Sequence, residues 1–190
     1  MGLSLQTLYF AVLIAVGVER GLELVISLRH ARLAFAQGAV EAGRGHYLPM
    51  VLTHAAFLPA CAWEVIALER SMNPLLFVSM GVLLLSSMAL RYWAVLTLGE
   101  RWNTRVIVLP QKPAAVGGPY RLVRHPNYIS VTTEMLVIPL MGAAWVCAVV
   151  FSLANWALLR VRIRAEEEAL REHCGYDDVM GNKPMFIPGT

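Results

Sequence analysis

The residues best suited to chemistry lie in a polar loop, residues 99–127, and at the start of the apolar segment that follows it. The loop ends in the run Gly-Gly-Pro-Tyr-Arg-Leu-Val-Arg-His-Pro-Asn-Tyr, residues 117–128. Its paired glycines permit the backbone to approach a ligand closely, and Pro126 suits the first turn of a helix. A helix starting there offers free N–H groups and a partial positive charge beside Arg124 and His125. This combination predicts a site for an anion such as an amino-acid carboxylate.

A second charged segment, residues 160–170, reads Arg-Val-Arg-Ile-Arg-Ala-Glu-Glu-Glu-Ala-Leu. Three consecutive carboxylates beside arginines could capture an ammonium group, so a zwitterionic ligand would fit between the loop and this segment. The same run is also typical of a solvated helix at the membrane surface, with the i,i+4 pairs Arg162–Glu166 and Arg164–Glu168. Taken alone, the segment favours the second interpretation.

The composition predicts that lipid surrounds the elements that position these residues. Of 190 residues, 57% are hydrophobic and only 15% are charged, whereas soluble domains contain about 25% charged residues. The net charge of +3 does not indicate nucleic acid, and the three cysteines and five histidines show no spacing typical of disulfides or metal ligands. We therefore expect a membrane protein with no nucleic-acid partner and no metal.

The apolar segments predict an all-α, polytopic membrane protein with about five transmembrane helices. A spanning helix needs about 20 apolar residues, and the segments 3–28, 47–68 and 74–98 each supply them. The apolar segment 128–159 is too long for one span, and Pro139, Met141 and Gly142 at its middle predict a tight helical hairpin. The chain is then a single domain, residues 1–190, in which three N-terminal spans (1–98) precede the catalytic loop, hairpin and tail (99–190). Basic residues cluster after the first span, in the loop and in the tail, so the positive-inside rule places the N-terminus outside and the C-terminus and active site in the cytoplasm.

Several ionisable residues fall within the predicted spans, where each costs on the order of 2.5–3.5 kcal/mol to insert. We expect Arg91 to pair with Glu19 or Glu23, and Glu64 to pair with Arg70. Glu134 lies in the fourth predicted span. Its carboxylate could either support the polar loop or take part directly in the chemistry, and both roles stay open.

The two charged segments together resemble the isoprenylcysteine carboxyl methyltransferase family. The resemblance rests on Gly-Pro-Tyr-Arg-x-Val-Arg-His-Pro-x-Tyr, then a helical hairpin, then Arg-Ile-x-x-Glu-Glu-x-x-Leu, and it covers about residues 95–190, with Tyr176 and Pro188 continuing the tail pattern. It implies a membrane methyltransferase that binds S-adenosylmethionine between the cytoplasmic loop and the C-terminal helix and releases S-adenosylhomocysteine. In the N-terminal half, Glu19-Arg20-x-x-Glu23-Leu24, residues 38–41 and Gly45-His46-Tyr47 resemble a bacterial branch, often associated with type III polyketide synthases, whose members would lie in the inner membrane.

The resemblance also implies roles for individual residues. Glu167 would hold the ammonium group of the cofactor. Arg162 would orient the acceptor oxygen, with Asn155 on the same helical face and Glu134 as further catalytic candidates. The candidate cofactor-binding residues are Tyr120, Val123, Arg124, His125, Tyr128, Glu166 and Glu167.

The resemblance, together with these residues, implies an O-methyltransferase that acts on a carboxylate, enol or phenol of a lipophilic acceptor. The acceptor would be prenylcysteine-like, an alkylpyrone or an alkylresorcinol, and it would reach the enzyme among the membrane lipids. Two alternatives are a phospholipid or amine N-methyltransferase, since those enzymes share the Arg-His-Pro core and the Glu-Glu pair, and a small non-enzymatic membrane transporter that uses the charges within the spans.

Overall fold

The structure is a computed structural model that describes residues 4–110 and 112–186. Two residues used in the predictions, Leu3 and Pro188, lie outside that part of the chain. The described residues form an all-α protein with one short antiparallel ladder. The helices are α1 (Leu5–Ala36), α2 (Arg44–Ala67), α3 (Pro74–Leu98), α4 (Pro126–Met141), α5 (Trp145–Cys174) and α6 (Tyr176–Met180), and the strands are β1 (Val40–Ala42) and β2 (Val106–Val108).

The third helix begins where the sequence predicts. Asn73 accepts hydrogen bonds from the backbone N–H groups of Leu75 and Leu76 at 2.9 and 3.1 Å, and Pro74 occupies the first helical position. Asparagine and proline are favoured at these two positions because one satisfies free N–H groups and the other needs no acceptor. The predicted bounds 74–98 are confirmed.

A tight turn at Gly142–Ala144 joins α4 to α5 and confirms the predicted helical hairpin. Ala143 adopts a left-handed conformation there, with a φ of 53°. The segment beyond this turn is a single helix of 30 residues, about 45 Å long at 1.5 Å per residue. The fifth predicted span and the charged segment are therefore one continuous rod, which ends at Gly175.

Within residues 4–110 and 112–186, three helical segments are long and apolar enough to cross a membrane: Arg44–Ala67, Pro74–Arg101 and Trp145–Cys174. Large side chains such as Leu75, Leu85 and Leu96 point outward from the helical bundle, as expected for a protein solvated by lipid. The fold is that of a polytopic membrane protein. The 16 residues of α4 extend only about 24 Å, less than the roughly 30 Å of a hydrocarbon core. The count of five spans and the orientation stay predictions.

The ladder between β1 and β2 was not predicted. Val40, Glu41 and Ala42 pair antiparallel with Val108, Ile107 and Val106. Strands of three residues are too short to show a periodic pattern in the sequence. The ladder joins the connection after α1 to the polar loop after α3.

The buried charges between α1, α3 and α4 form one network. Arg91 donates to Glu134 from Nε at 3.0 Å and from Nη2 at 2.7 Å, and its Nη1 lies 3.7 Å from Glu23. Arg20 lies 2.7 Å from Glu23 and 2.8 Å from Glu19. The predicted pairing of Arg91 with Glu23 is confirmed, but Glu134 is its closer partner because α3 and α4 pack directly on each other.

Glu64 is paired with Arg70 at 2.7 Å, as predicted. Its carboxylate also accepts hydrogen bonds from the backbone N–H groups of Val146 and Cys147 at 3.1 and 2.7 Å. Free N–H groups at the start of a helix need such acceptors, and α5 takes its acceptor from α2. Glu64 thus fixes the first turn of α5 against the end of α2.

Replacing Glu64 with glutamine is expected to lower the free energy of unfolding by about 3 kcal/mol, since removal of one partner of a buried ion pair leaves the other uncompensated. A glutamine also places an NH₂ group opposite two backbone donors. Thermal unfolding in detergent measures the effect. The matched control is Glu69→Gln, at an exposed position just after the end of α2. Equal melting temperatures for the two variants would contradict the role of Glu64.

Candidate active site

A cleft lies between the polar loop, the start of α4 and the second half of α5. It encloses about 1090 Å³ of empty space, including the part open to solvent. The structure brings six of the predicted site residues together at its wall: Tyr120, Arg124, His125, Tyr128, Arg162 and Glu166. The two charged segments that are far apart in the sequence therefore face each other across one cavity.

Glu167 joins the loop to α5. Its Oε1 accepts hydrogen bonds from Arg124 Nη1 at 2.9 Å and lies 3.0 Å from His125 Nε2. Its Oε2 accepts from Arg171 Nη2, one turn further along α5, at 2.9 Å. Because three cationic or potentially cationic groups meet one buried carboxylate, Glu167 holds Arg124 and His125 in place at the start of α4.

Tyr128 lies between Glu166 and Arg162. Its hydroxyl group donates to Glu166 and accepts from Arg162 Nε at 2.8 Å. The ring of Tyr128 also stacks on His125, with 5.3 Å between ring centroids. The phenol therefore links the anionic and cationic sides of the cleft and fixes the orientation of the Arg162 guanidinium.

Arg162 is 6% exposed, yet within the described ranges no carboxylate lies within 4.0 Å of its guanidinium. Its Nη1 contacts only the sulfur of Met50, on α2, at 3.5 Å, and a thioether is a weak acceptor. The alternative interpretation of segment 160–170 predicted the ion pairs Arg162–Glu166 and Arg164–Glu168. Neither pair forms in the described part of the chain, because Arg162 turns inward to Tyr128.

Three further predicted site residues lie away from the cleft wall. Glu134 faces Arg91, Asn155 is 1% exposed on α5, and Val123 is buried behind the loop. The Nδ2 group of Asn155 has no hydrogen-bond partner among the described residues. Their roles in chemistry or cofactor binding stay predictions.

The cleft also contains polar residues that the sequence did not single out. Trp102 and Asn127 line it, and Trp102 Nε1 and Asn127 Oδ1 are buried without a hydrogen-bond partner in the described ranges. Buried polar atoms are usually satisfied, so such atoms at a cleft wall indicate groups that a ligand would satisfy. Two features of the sequence could have pointed to these residues. Asn127 lies inside the Pro-Asn-Tyr run, and Trp102 is the only tryptophan of the polar loop.

Two tyrosines at the cleft remain protonated. Burial raises the pKa of Tyr120 and of Tyr176 well above the ordinary value of a phenol. Neither residue is therefore suited to act as a base near neutral pH, and both present an apolar ring to the cleft together with Leu170 and Met180.

The fold and site define a class: polytopic helical membrane proteins with a charged ligand cleft where the last long helix meets a polar loop. The model of the isoprenylcysteine carboxyl methyltransferase family matches residues 77–172, and the chain belongs to this family. It is 36% identical to the uncharacterized protein YpbQ of Bacillus subtilis over 156 residues, which are 82% of this chain and 92% of that protein. It is 28% identical to an uncharacterized protein of Haemophilus influenzae over 162 residues, which are 85% and 92% of the two chains. Membership of the family implies a membrane methyltransferase that uses S-adenosylmethionine.

Proposed function

We propose that the protein transfers a methyl group from S-adenosylmethionine to an anionic oxygen of a lipophilic acceptor. The observation that carries this proposal is the buried guanidinium of Arg162, which faces the cleft and, among the residues that the structure describes, has no carboxylate within 4.0 Å. A buried cation with no anion bound directly to it is costly, and an acceptor oxyanion would compensate it.

The cleft suits the amino-acid part of S-adenosylmethionine. Arg124 lines the cleft, and its Nε is buried without a partner among the residues described, so it can donate to a carboxylate. Glu166 lines the cleft as well and can accept from an ammonium group. Glu167 then acts mainly by holding Arg124 and His125, and the unpaired Trp102 Nε1 and Asn127 Oδ1 are available to the rest of the cofactor.

The position of Arg162 along α5 favours an acceptor that arrives from the bilayer. Trp145, at the start of α5, is about half exposed, as is typical of an interfacial anchor. From there Arg162 lies about 26 Å and Glu167 about 33 Å along the helix at 1.5 Å per residue. A hydrocarbon core is about 30 Å thick, so Arg162 falls near its far boundary and Glu167 beyond it. On this reasoning Arg162 lies at the lipid-facing end of the site and Glu167 at its water-facing end, both on α5.

Bound S-adenosylmethionine supplies an electrophilic methyl group on its sulfonium. Arg162 holds the acceptor oxygen, and Tyr128 fixes the guanidinium. A carboxylate or enolate acceptor is already anionic near neutral pH and needs no strong base. A phenol, with an ordinary pKa of about 10, would have its anion favoured by the neighbouring guanidinium.

The test combines cofactor binding with acceptor choice. We expect saturable binding of S-adenosylhomocysteine to the detergent-purified protein by calorimetry. Radiolabel from S-adenosylmethionine should then appear on a prenylcysteine analogue, an alkylpyrone or an alkylresorcinol, and not on phosphatidylethanolamine. A cationic amine beside Arg162 would be repelled, so methylation of that phospholipid with no O-methylation would overturn the proposed acceptor class.

The arrangement of charges within the bundle argues against a transporter. The ionisable groups buried between α1, α3 and α4 are paired with one another and so do not offer free sites to a moving ion; these groups are Glu19, Arg20, Glu23, Arg91 and Glu134. No uptake into liposomes beyond that of protein-free vesicles is the expected result of a flux assay.

A further inference from the structure

The connection between α1 and α2 forms the outer support of the cleft. Its strand β1 pairs with β2, and all three residues of β2, Val106–Val108, line the cleft. The cavity that binds the ligand is thus built on one side from a segment held by the N-terminal half. The family model begins at residue 77 and does not include this support.

Glu41 is the polar centre of this contact. Its side chain is 4% exposed. It accepts hydrogen bonds from Nε and Nη2 of Arg105 and from Nε of Arg44 at 3.1 Å. Arg105 itself lines the cleft, so a residue of the first connection fixes a cationic side chain of the cavity wall.

Two aromatic rings also contact the guanidinium of Arg105. Its guanidinium carbon lies 5.6 Å from the ring centroid of Phe35 and 5.9 Å from that of Tyr47, within the range of cation–π attraction. These residues lie at the end of α1 and the start of α2. The side chain of Arg105 therefore extends from the polar loop to three residues of the N-terminal half, Glu41, Phe35 and Tyr47.

The same docking continues along the start of the polar loop. The hydroxyl group of Ser27 donates to Asn103 at 3.0 Å, and the Asn103 amide donates back to the Ser27 carbonyl at 2.9 Å. His30 Nδ1 lies 2.9 Å from the carbonyl of Trp102. A long loop with little regular structure needs such external contacts to hold one conformation, and this loop receives them from α1.

We propose that Glu41 is a positioning residue of the cofactor site. It acts through Arg105 and the β1–β2 ladder to hold the wall formed by residues 102–108 in its binding conformation. The inference rests on the proposed function, because it assigns the cofactor to this cleft.

Glu41→Gln is expected to weaken binding of S-adenosylhomocysteine by about tenfold, the size of effect seen when a site is loosened from a distance. Hydrogen exchange of the amides of Val106–Val108 should become faster in the same variant. The matched control is Arg44→Ala, which removes the other, exposed partner of Glu41 and leaves the contact with Arg105; it should bind with wild-type affinity. Glu41→Asp, which keeps the charge and shortens the reach, should give an intermediate affinity and serves if the glutamine variant does not fold.

A double variant, Glu41→Gln with Arg105→Ala, shows whether Glu41 acts through Arg105 or only stabilises the fold in general. If Glu41 acts through Arg105, the double variant should bind about as weakly as Arg105→Ala alone, because contacting residues are not additive. Wild-type affinity and unchanged exchange in Glu41→Gln would overturn the inference, as would fully additive losses. A wild-type protein that binds no S-adenosylhomocysteine would overturn the proposed function and this inference with it, so the two failures are distinguishable.

Discussion

Arg162→Leu is expected to reduce methyl transfer by about 10²–10³-fold, as is usual when a preorganised donor to a reacting oxygen is removed. The affinity for S-adenosylhomocysteine should change little, because Arg124 and Glu166, which are assigned to the amino-acid part of the cofactor, make no hydrogen bond to Arg162 in the described part of the chain. Turnover with radiolabelled S-adenosylmethionine and calorimetry of the product measure the two quantities. Arg162→Lys should recover only part of the activity, since lysine keeps the charge but lacks the planar Nε–H that binds Tyr128.

The control for this experiment is Arg160→Leu. Arg160 is exposed, and its guanidinium carbon lies 4.1 Å from the ring centroid of Trp156, on the same helix but away from the cleft. Its replacement removes an equal charge two residues from Arg162 and should leave turnover unchanged. A large loss of cofactor affinity in Arg162→Leu would assign Arg162 to the cofactor rather than to the acceptor.

Glu167→Gln is expected to weaken binding of S-adenosylhomocysteine by about 100-fold. Its two oxygens bind Arg124, His125 and Arg171. Removal of one member of a buried, hydrogen-bonded charge cluster typically costs about 2–5 kcal/mol. A 100-fold change in affinity corresponds to roughly 2.7 kcal/mol, which lies within that range. The loss arises because Arg124 and Arg171 lose the negative charge between them, so that the start of α4 is held less firmly to α5. Calorimetry across the variants measures the change.

Two neighbouring glutamates refine the test. Glu168 is exposed, and Glu168→Gln should bind with wild-type affinity. Glu166→Gln should weaken binding while the fold stays intact, because Glu166 faces the cleft and has Tyr128 as its partner. Equal affinities for Glu167→Gln and the wild type would show that the cluster does not organise the site.

The sequence predicted those parts of the fold that depend on local signals. Asn73-Pro74 marks a helix start that needs no tertiary contact, and Pro139 with Gly142 marks a turn between two apolar runs; both are confirmed. The first predicted span ended at residue 28, but α1 continues to Ala36, and its later turns hold the polar loop through Ser27 and His30. The β1–β2 ladder depends on a partner about 65 residues away, which no local pattern reveals.

The sequence predicted which residues belong to the candidate site, but not which of them bond to one another. The loop and the segment 160–170 were expected to meet, and Arg124, His125 and Glu166 do line one cleft. The pairing of Tyr128 with both Glu166 and Arg162 could not be predicted, because it depends on the rotation of α5 relative to α4. For the same reason the sequence left the partner of Arg162 open between Glu166 and an acceptor.

The charge network of α1, α3 and α4 has a consequence for membrane integration. Arg91 on α3 would cost on the order of 2.5–3.5 kcal/mol in a solitary helix, and its partners arrive from both directions along the chain: Glu23 is made before it and Glu134 after it. Because Glu23 precedes Arg91 in the chain, it can neutralise Arg91 before α4 is made, and Glu134 joins it as the closer partner once α4 is in place. We therefore expect a chain that lacks Glu23 to integrate α3 less efficiently, even though the finished protein keeps the contact of Arg91 with Glu134.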